Sequence, residues 1–376
     1  WNNSGNADFY KLLIDTSSSF SNTDTFLTSN NFLTLPINNP GQYFWKVIAL
    51  NICNEAFVSS TASFNITSFE NIQSLELWLS ADSGLTIAGN SITQWSDRST
   101  NNNHAIQSSI PNAPTLSLNT LNNLPLLNFN GVDQFLEINK TSWGDSITII
   151  YMARLDNTSK VHGIFDCTST LPFSSSKGFR LDVNSSTFRF GVATNNNTFD
   201  QRSGANTNFH LRSARYDQSF IEQFVNFSSP SSTALTGPID YSGVPATRIG
   251  KMEPNDNFFH GELAELIVFS TAISDSLIQQ IQNYLRFKYV PPVNLGPDIS
   301  INYGFCDTAI NAQKDWFSSY QWNTGDTTAS ISVNTSGIYS VTVTDIFGFP
   351  STDTLLVEYD LNSLSGNFDL CKEDTL

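Results

Sequence analysis

Apolar and polar residues alternate along most of this chain, in short runs separated by clusters of Asn, Gly, Ser and Pro. A period of two puts every second side chain on one face of an extended strand, so each run reads as a half-buried β-strand. The clearest are residues 9–14, 43–51, 75–79, 146–152, 188–192, 262–269, 337–344 and 354–359, where β-branched and aromatic side chains gather. The clusters between them supply turns and left-handed backbone positions. One segment alone keeps a helical period. Leu277, Ile278, Ile281, Leu285 and Tyr289 recur at helical spacing, with Ser274 or Asp275 as the cap. Arg286 and Lys288 suit the negative end of the helix dipole, and Pro291-Pro292 stops the helix. The pattern predicts a mostly β chain with one helix.

Charge is scarce. Only 14% of the 376 residues are charged, 34 acidic against 18 basic, for a net −16. The polar surface must therefore come from Ser, Thr and about 40 asparagines. With 39% hydrophobic residues and 29 phenylalanines there is apolar surface enough for real cores, which excludes simple disorder. Lys and Arg nowhere cluster, so nucleic acid is excluded as a partner. No run approaches the ~20 apolar residues of a membrane span, and no signal peptide is visible. Cys53, Cys167, Cys306 and Cys371 stand too far apart for a zinc knuckle or CxxC pair; buried thiols, or thiols whose partners lie in missing sequence, are expected. At ~150 residues per domain the length suggests two or three domains.

Three modules follow from the breaks. In residues 1–67, Pro40-Gly41-Gln42-Tyr43-Phe44-Trp45-Lys46-Val47 resembles the tyrosine corner and late strands of a fibronectin type III domain. In that alignment Trp1 falls at the family's core Trp, so the domain is expected to be partial. Residues 68–290 carry Leu77-Trp78-Leu79-Ser80-Ala81-Asp82, then Trp95-Ser96-Asp97-Arg98-Ser99 with Asn101-Asn102-Asn103-His104-Ala105. Phe129-Asn130-Gly131-Val132-Asp133, Gly261-Glu262-Leu263-Ala264-Glu265-Leu266 and the helix follow in order. Together these resemble a bacterial laminin-G-like domain, which implies a concanavalin A-like jelly roll. Residues 291–361, through Tyr320-Gln321-Trp322 and Tyr339-Ser340-Val341-Thr342-Val343-Thr344-Asp345, resemble the PKD/immunoglobulin-like repeats of secreted Bacteroidota surface proteins. Residues 302–308 return loosely as 367–375, so residues 362–376 read as the start of a further repeat. The fold expected is thus a series of tandem β-sandwiches around a central jelly roll with one C-terminal helix. The resemblance as a whole is to a multidomain adhesin of the extracellular or cell-surface kind.

Catalytic motifs are missing: there is no Gly-rich phosphate loop, GxSxG elbow, HExxH or EF-hand loop. His104, His162, His210 and His260 are scattered and read as surface or hydrogen-bonded structural residues. Glu262 and Glu265 share a strand, but an offset of three sends their side chains to opposite faces. Retaining glycosidases need the two carboxyl groups about 5–5.5 Å apart in one cleft. Glu265 is therefore expected to accept backbone or Trp N–H groups, Glu262 to face solvent, and no catalytic residue is assigned.

Calcium is the cofactor considered. It takes six to eight oxygens, and Asp82, Asp97, Asn101, Asn103, Asn130 and Asp133 sit in loop-like stretches of the kind laminin-G-like domains use for it. Asp97 and Asp133 lead the candidates; the alternative is that these residues only form Asx-turns. Trp78 and Trp322 lie in strand-like runs and are assigned to cores. Trp143, in the loop-like Lys140-Thr141-Ser142-Trp143-Gly144-Asp145, is expected to be exposed and to stack on a sugar, with Asn130 and Asp133 as further ligand contacts.

The expected function is non-enzymatic extracellular adhesion, the laminin-G-like module binding a glycan or protein, with Ca²⁺ as its candidate cofactor. The alternative is an ancillary carbohydrate-binding and spacer region of a secreted polysaccharide-degrading enzyme.

Overall fold

A computed structural model describes residues 7–21, 23–30, 33, 35, 41–51, 56–66, 72–169, 177–252, 257–301 and 307–359. Trp1, Cys53, Cys306, Cys371 and residues 362–376, with the expectations attached to them, lie outside that set. The chain is mostly β with one α-helix among the described residues. It divides into a compact unit Phe69–Tyr289 and a second unit made of Trp1–Ser68 with Val290–Leu376.

In the Phe69–Tyr289 unit a continuous 17-stranded ladder bends round its own core as a β-sandwich. One arc runs Leu75–Ser80, His260–Phe269, Ile147–Leu155, Phe209–Tyr216, Phe220–Val225, Ser231–Ala234, each antiparallel to the next. The other runs Thr198–Gly204, Thr187–Ala193, Gly178–Asn184, His162–Thr168, Thr247–Ile249, Leu136–Ile138. Ile149 and Tyr151 of the first arc and Phe165, Phe179, Leu181 and Phe190 of the second belong to one buried cluster. Burying each such side chain contributes roughly 1.5–3 kcal/mol. The two-residue period is visible in the second arc, where Phe179, Leu181 and Val183 enter the core and Arg180 and Asp182 take the opposite face. Gly178, at φ +91°, is required there, because a Cβ would meet the Cys167 carbonyl oxygen. Cys167 itself is a buried free thiol, pushed up to about 12 by desolvation.

The helix spans Asp275–Tyr289. Ser274 caps it, its Oγ accepting the Leu277 N–H at 3.3 Å. Ile278, Ile281, Leu285 and Tyr289 are buried as the spacing predicts, and Gln282 and Arg286 join them. Gln282 donates to Ser213 Oγ of the first arc at 3.0 Å. Where a stripe of purely apolar residues was expected, the buried face is one-third polar.

In the second unit, Asp24–Thr28, Phe9–Asp15 and Gly41–Leu50 form an antiparallel sheet that Ala56–Val58 and Ala62–Ile66 extend. Tyr10, Leu12, Ile14, Tyr43, Val47 and Ala49 supply its core. Tyr43, of the tyrosine-corner stretch, is buried and stacks on Phe64 at 5.5 Å. A four-stranded sheet runs Ile299–Ile301, Pro350–Tyr359, Gly337–Asp345, Phe317–Trp322, and Thr308–Asn311 pairs with Ser330–Val333 beside it. Trp322 is buried there and donates its indole N–H to the Thr328 carbonyl at 2.8 Å.

Candidate ligand-binding site

The calcium candidates make hydrogen bonds within the chain. Asp97 Oδ1 accepts the N–H groups of Trp78 and Ser99, both at 2.9 Å. Its Oδ2 accepts the Ser99 hydroxyl at 2.7 Å and the Asn103 N–H at 2.9 Å. Asn101 and Asn103 donate their amides to the Leu75 and Glu76 carbonyls, and His104 Nδ1 accepts the Asp97 N–H. The Trp95–His104 motif thus stitches its loop to the first strand of the unit. Asp82 is taken by Lys288 at 2.8 Å and by the Ser80 hydroxyl. Asn130 Oδ1 accepts the N–H groups of Val132 and Asp133, and Asn130 Nδ2 donates to Asp133 Oδ1 at 2.8 Å, an Asx-turn that joins these two candidates to each other. Gly131 within it lies against His260, where a Cβ would come within 2.6 Å of the imidazole-bearing carbon. Among the described residues no three His, Cys, Asp or Glu side chains form a group able to hold a metal. Both oxygens of Asp97 are taken by N–H and O–H donors, and those of Asp82 by Lys288 and Ser80.

Trp143 is a correction. It is 1% exposed, packs edge-on against Phe165 at 5.6 Å and donates its indole N–H to Thr247 Oγ1 at 2.9 Å. Its loop setting hid a core role, because Thr247 comes from a strand 104 residues away. A buried ring cannot stack on a sugar.

The two glutamates are a second correction. A bulge shifts the register so that Glu265 faces Met152 while Glu262 faces Arg154, which places both on one face of the sheet. Glu262 is buried and paired with Arg154 at 3.0 Å, rather than solvated. Glu265 Oε2 accepts the Trp78 indole N–H at 2.8 Å, the acceptor role expected for it. Its Oε1 meets Lys288, Tyr284 and Tyr289. Both carboxylates are buried.

A polar cleft of ≈ 1080 Å³ is lined by residues 194–202 with Arg180 and Thr233. Arg180, Asp200 and Arg202 of its lining belong to a mesh of charge set by cross-strand register. Asp182, Arg189 and Arg202 stand in one row, and Arg180, Gly191 and Asp200 in the next. Gly191 has no side chain, so the Arg180 guanidinium can span two strand spacings to Asp200, meeting both oxygens at 3.1 Å. Arg180 Nε also lies 2.8 Å from Asp182 Oδ2, and Arg189 Nε pairs with Asp182 Oδ1. Burial draws the Arg180 guanidinium below its usual range, and Asp182 and Asp200 oppose that shift. The row continues by register from Arg180 to Asp166, Arg248 and Glu137, the last two 3.4 Å apart.

The rim is the turn at residues 194–198. Thr194 Oγ1 accepts the N–H groups of Asn196 and Asn197 and donates to the Asn197 carbonyl, which fixes the turn and leaves Asn195 and Asn196 exposed. Phe199 and Thr233 complete the wall. Amides, hydroxyls and a braced ionic floor beside one aromatic are the groups that orient a hydroxyl-rich ligand. A smaller groove of ≈ 480 Å³ lies by Asn102, Asn103, Gln107 and Phe135.

Sequence reasoning passed over this cleft. The signal was present: in a chain so poor in charge, Arg180 and Asp182, then Arg189, then Asp200 and Arg202 fall at a period of two on three successive strands.

No family model matches the chain, and no curated protein sequence matches it. The structure is similar to the binding domain of botulinum neurotoxin DC solved in complex with rat synaptotagmin II. The two share 12% identity over 74% of this chain and 73% of that one, with a TM-score of 0.42. It is also similar to the binding domain of Paraclostridial Mosquitocidal Protein 1, at 11% identity over 78% of this chain and 69% of that one, with a TM-score of 0.44. At such low identity and overlap, no ligand of theirs transfers to this chain.

Proposed function

We propose that this chain is a non-enzymatic, extracellular ligand-binding segment whose Phe69–Tyr289 unit binds a glycan in the cleft rimmed by residues 194–198. The supporting observation is that exposed Asn195 and Asn196 line a cleft together with Arg180 and Asp200, an ion pair that Asp182 and Arg189 brace from behind. Such bracing holds donors and acceptors in place before a ligand arrives, which lowers the entropy lost on binding. The groups facing the cleft bind and orient; Glu262 and Glu265, the pair most like a hydrolytic dyad, are buried in other contacts. The Asn- and Thr-rich, Lys-poor surface is consistent with an extracellular setting.

A glycan array probed with the full chain tests this reading. Binding to a defined set of glycans that Asn196→Ala weakens, with the folded state intact by circular dichroism, supports it. No glycan bound, or binding indifferent to Asn196→Ala and Thr198→Ala, overturns it.

A further inference from the structure

We infer that the ligand of this cleft is an acidic saccharide whose carboxylate or sulfate group is met by Arg202, an inference that rests on the glycan reading of the cleft. The three guanidiniums Arg180, Arg189 and Arg202 are not held alike. The inner pairs are matched: Asp182 takes Arg180 and Arg189 on its two oxygens, and Asp200 receives Arg180 at 3.1 Å. Arg202 is held least. Its ion pair among the described residues is a long one, 3.8 Å to Asp200 Oδ2, an oxygen that Arg180 already holds. Its side chain is 65% exposed, whereas those of Arg180 and Arg189 are 7% and 11% exposed.

The cleft thus presents one exposed, loosely held guanidinium within a chain of net charge −16. A guanidinium presents a planar fork of N–H donors that matches carboxylate and sulfate oxygens, and it does so better than it matches a lone hydroxyl. The exposed Asn195 and Asn196 amides stand on the same cleft and can take the neighbouring hydroxyls of the same sugar. The acidic remainder of the chain repels a polyanion, so an acidic saccharide is directed to this spot and not spread over the surface.

The test is isothermal titration of the full chain with three probes of equal length: a galacturonate hexamer, a heparin hexasaccharide and an uncharged galactan hexamer. The expected result is that at least one acidic probe binds about tenfold or more tightly than the neutral one, the increment of a charge-assisted contact. That preference falls as salt is raised and disappears in Arg202→Ala. Arg202→Lys keeps the charge without the fork and retains only part of the preference. Galacturonate and heparin separate a carboxylate from a sulfate as the anion. Equal affinity for acidic and neutral probes, or a preference that survives Arg202→Ala, overturns the inference. If the neutral probe then binds and Asn196→Ala weakens it, the glycan reading stands without the inference; if no probe binds, both fall.

Discussion

The indole N–H of Trp78 donates to Glu265 Oε2 at 2.8 Å, joining residues 187 apart in the chain. The other oxygen of Glu265 meets Lys288, Tyr284 and Tyr289 of the helix, so a single buried carboxylate ties the first strand, the last strand and the helix of the unit together. Tyr284 sits edge-on to Trp78 at 6.0 Å, and Arg98 covers the Trp78 ring at 3.8 Å. Burial and then the Glu265 charge push both phenols well above their usual range, which keeps them neutral donors.

Removing the hub should be costly. Glu265→Ala removes the acceptor of the buried Trp78 indole N–H and leaves Lys288 its ion pair with Asp82, an expected loss of about 2 kcal/mol or more in unfolding free energy, measured by urea denaturation. Glu265→Gln keeps acceptors for Trp78 and the phenols and should lose less. A loss under about 1 kcal/mol for the Ala variant would show that the network is incidental.

Trp143→Ala should lower stability by about 3–5 kcal/mol, the usual effect of emptying a core ring site, and leave Thr247 Oγ1 without its donor. Saccharide affinity of the folded fraction should not change. A variant as stable as the parent but unable to bind would restore Trp143 to the ligand.

Strand alternation and the helix were legible in sequence because they depend on local periodicity. Asp97 and Asn130 stand in turns in a chain crowded with asparagine, and turn chemistry is what they perform. What sequence concealed needs contacts across strands. Trp143 looked exposed because Thr247 and Phe165 are far away in the chain. Glu262 and Glu265 looked opposed because a bulge is not encoded in simple alternation. The floor of the cleft depends on Asp182, Arg189 and Arg202 coming into register, and spacing along the chain does not fix register.

Calcium should be without effect on this unit. The oxygens of Asp97 accept four donors within the chain, and Asp82 is paired with Lys288. Thermal unfolding in chelator and in added Ca²⁺ should give the same midpoint. A ligand that binds only the folded state raises the midpoint as its concentration grows, so an upward shift with Ca²⁺ would contradict the assignment.

Acid should destabilise the fold through a histidine. His210 is buried against Phe188, hydrogen-bonds Asn206 Oδ1 at 2.8 Å and leaves Nδ1 enclosed without a partner. Burial, with Arg212 nearby, lowers it to about 4 from 6.5. Its folded value is depressed, so the unfolded chain binds the proton first. Stability is therefore full above pH 6.5 and falls as the pH drops toward 4, by up to about 3 kcal/mol. Urea midpoints measured between pH 7 and 4 should show this slope, and His210→Asn should flatten it. A slope unchanged in that variant would place the titrating group elsewhere.

The cleft is the centre of the account, and amide hydrogen exchange reads it directly. On adding a saccharide that the array identifies, amides of residues 194–202, which carry the rim and Arg202, should gain protection, while residues 102–108 and 135–139 around the smaller groove stay as they were. Protection confined to the smaller groove, or found nowhere in the Phe69–Tyr289 unit, would contradict it.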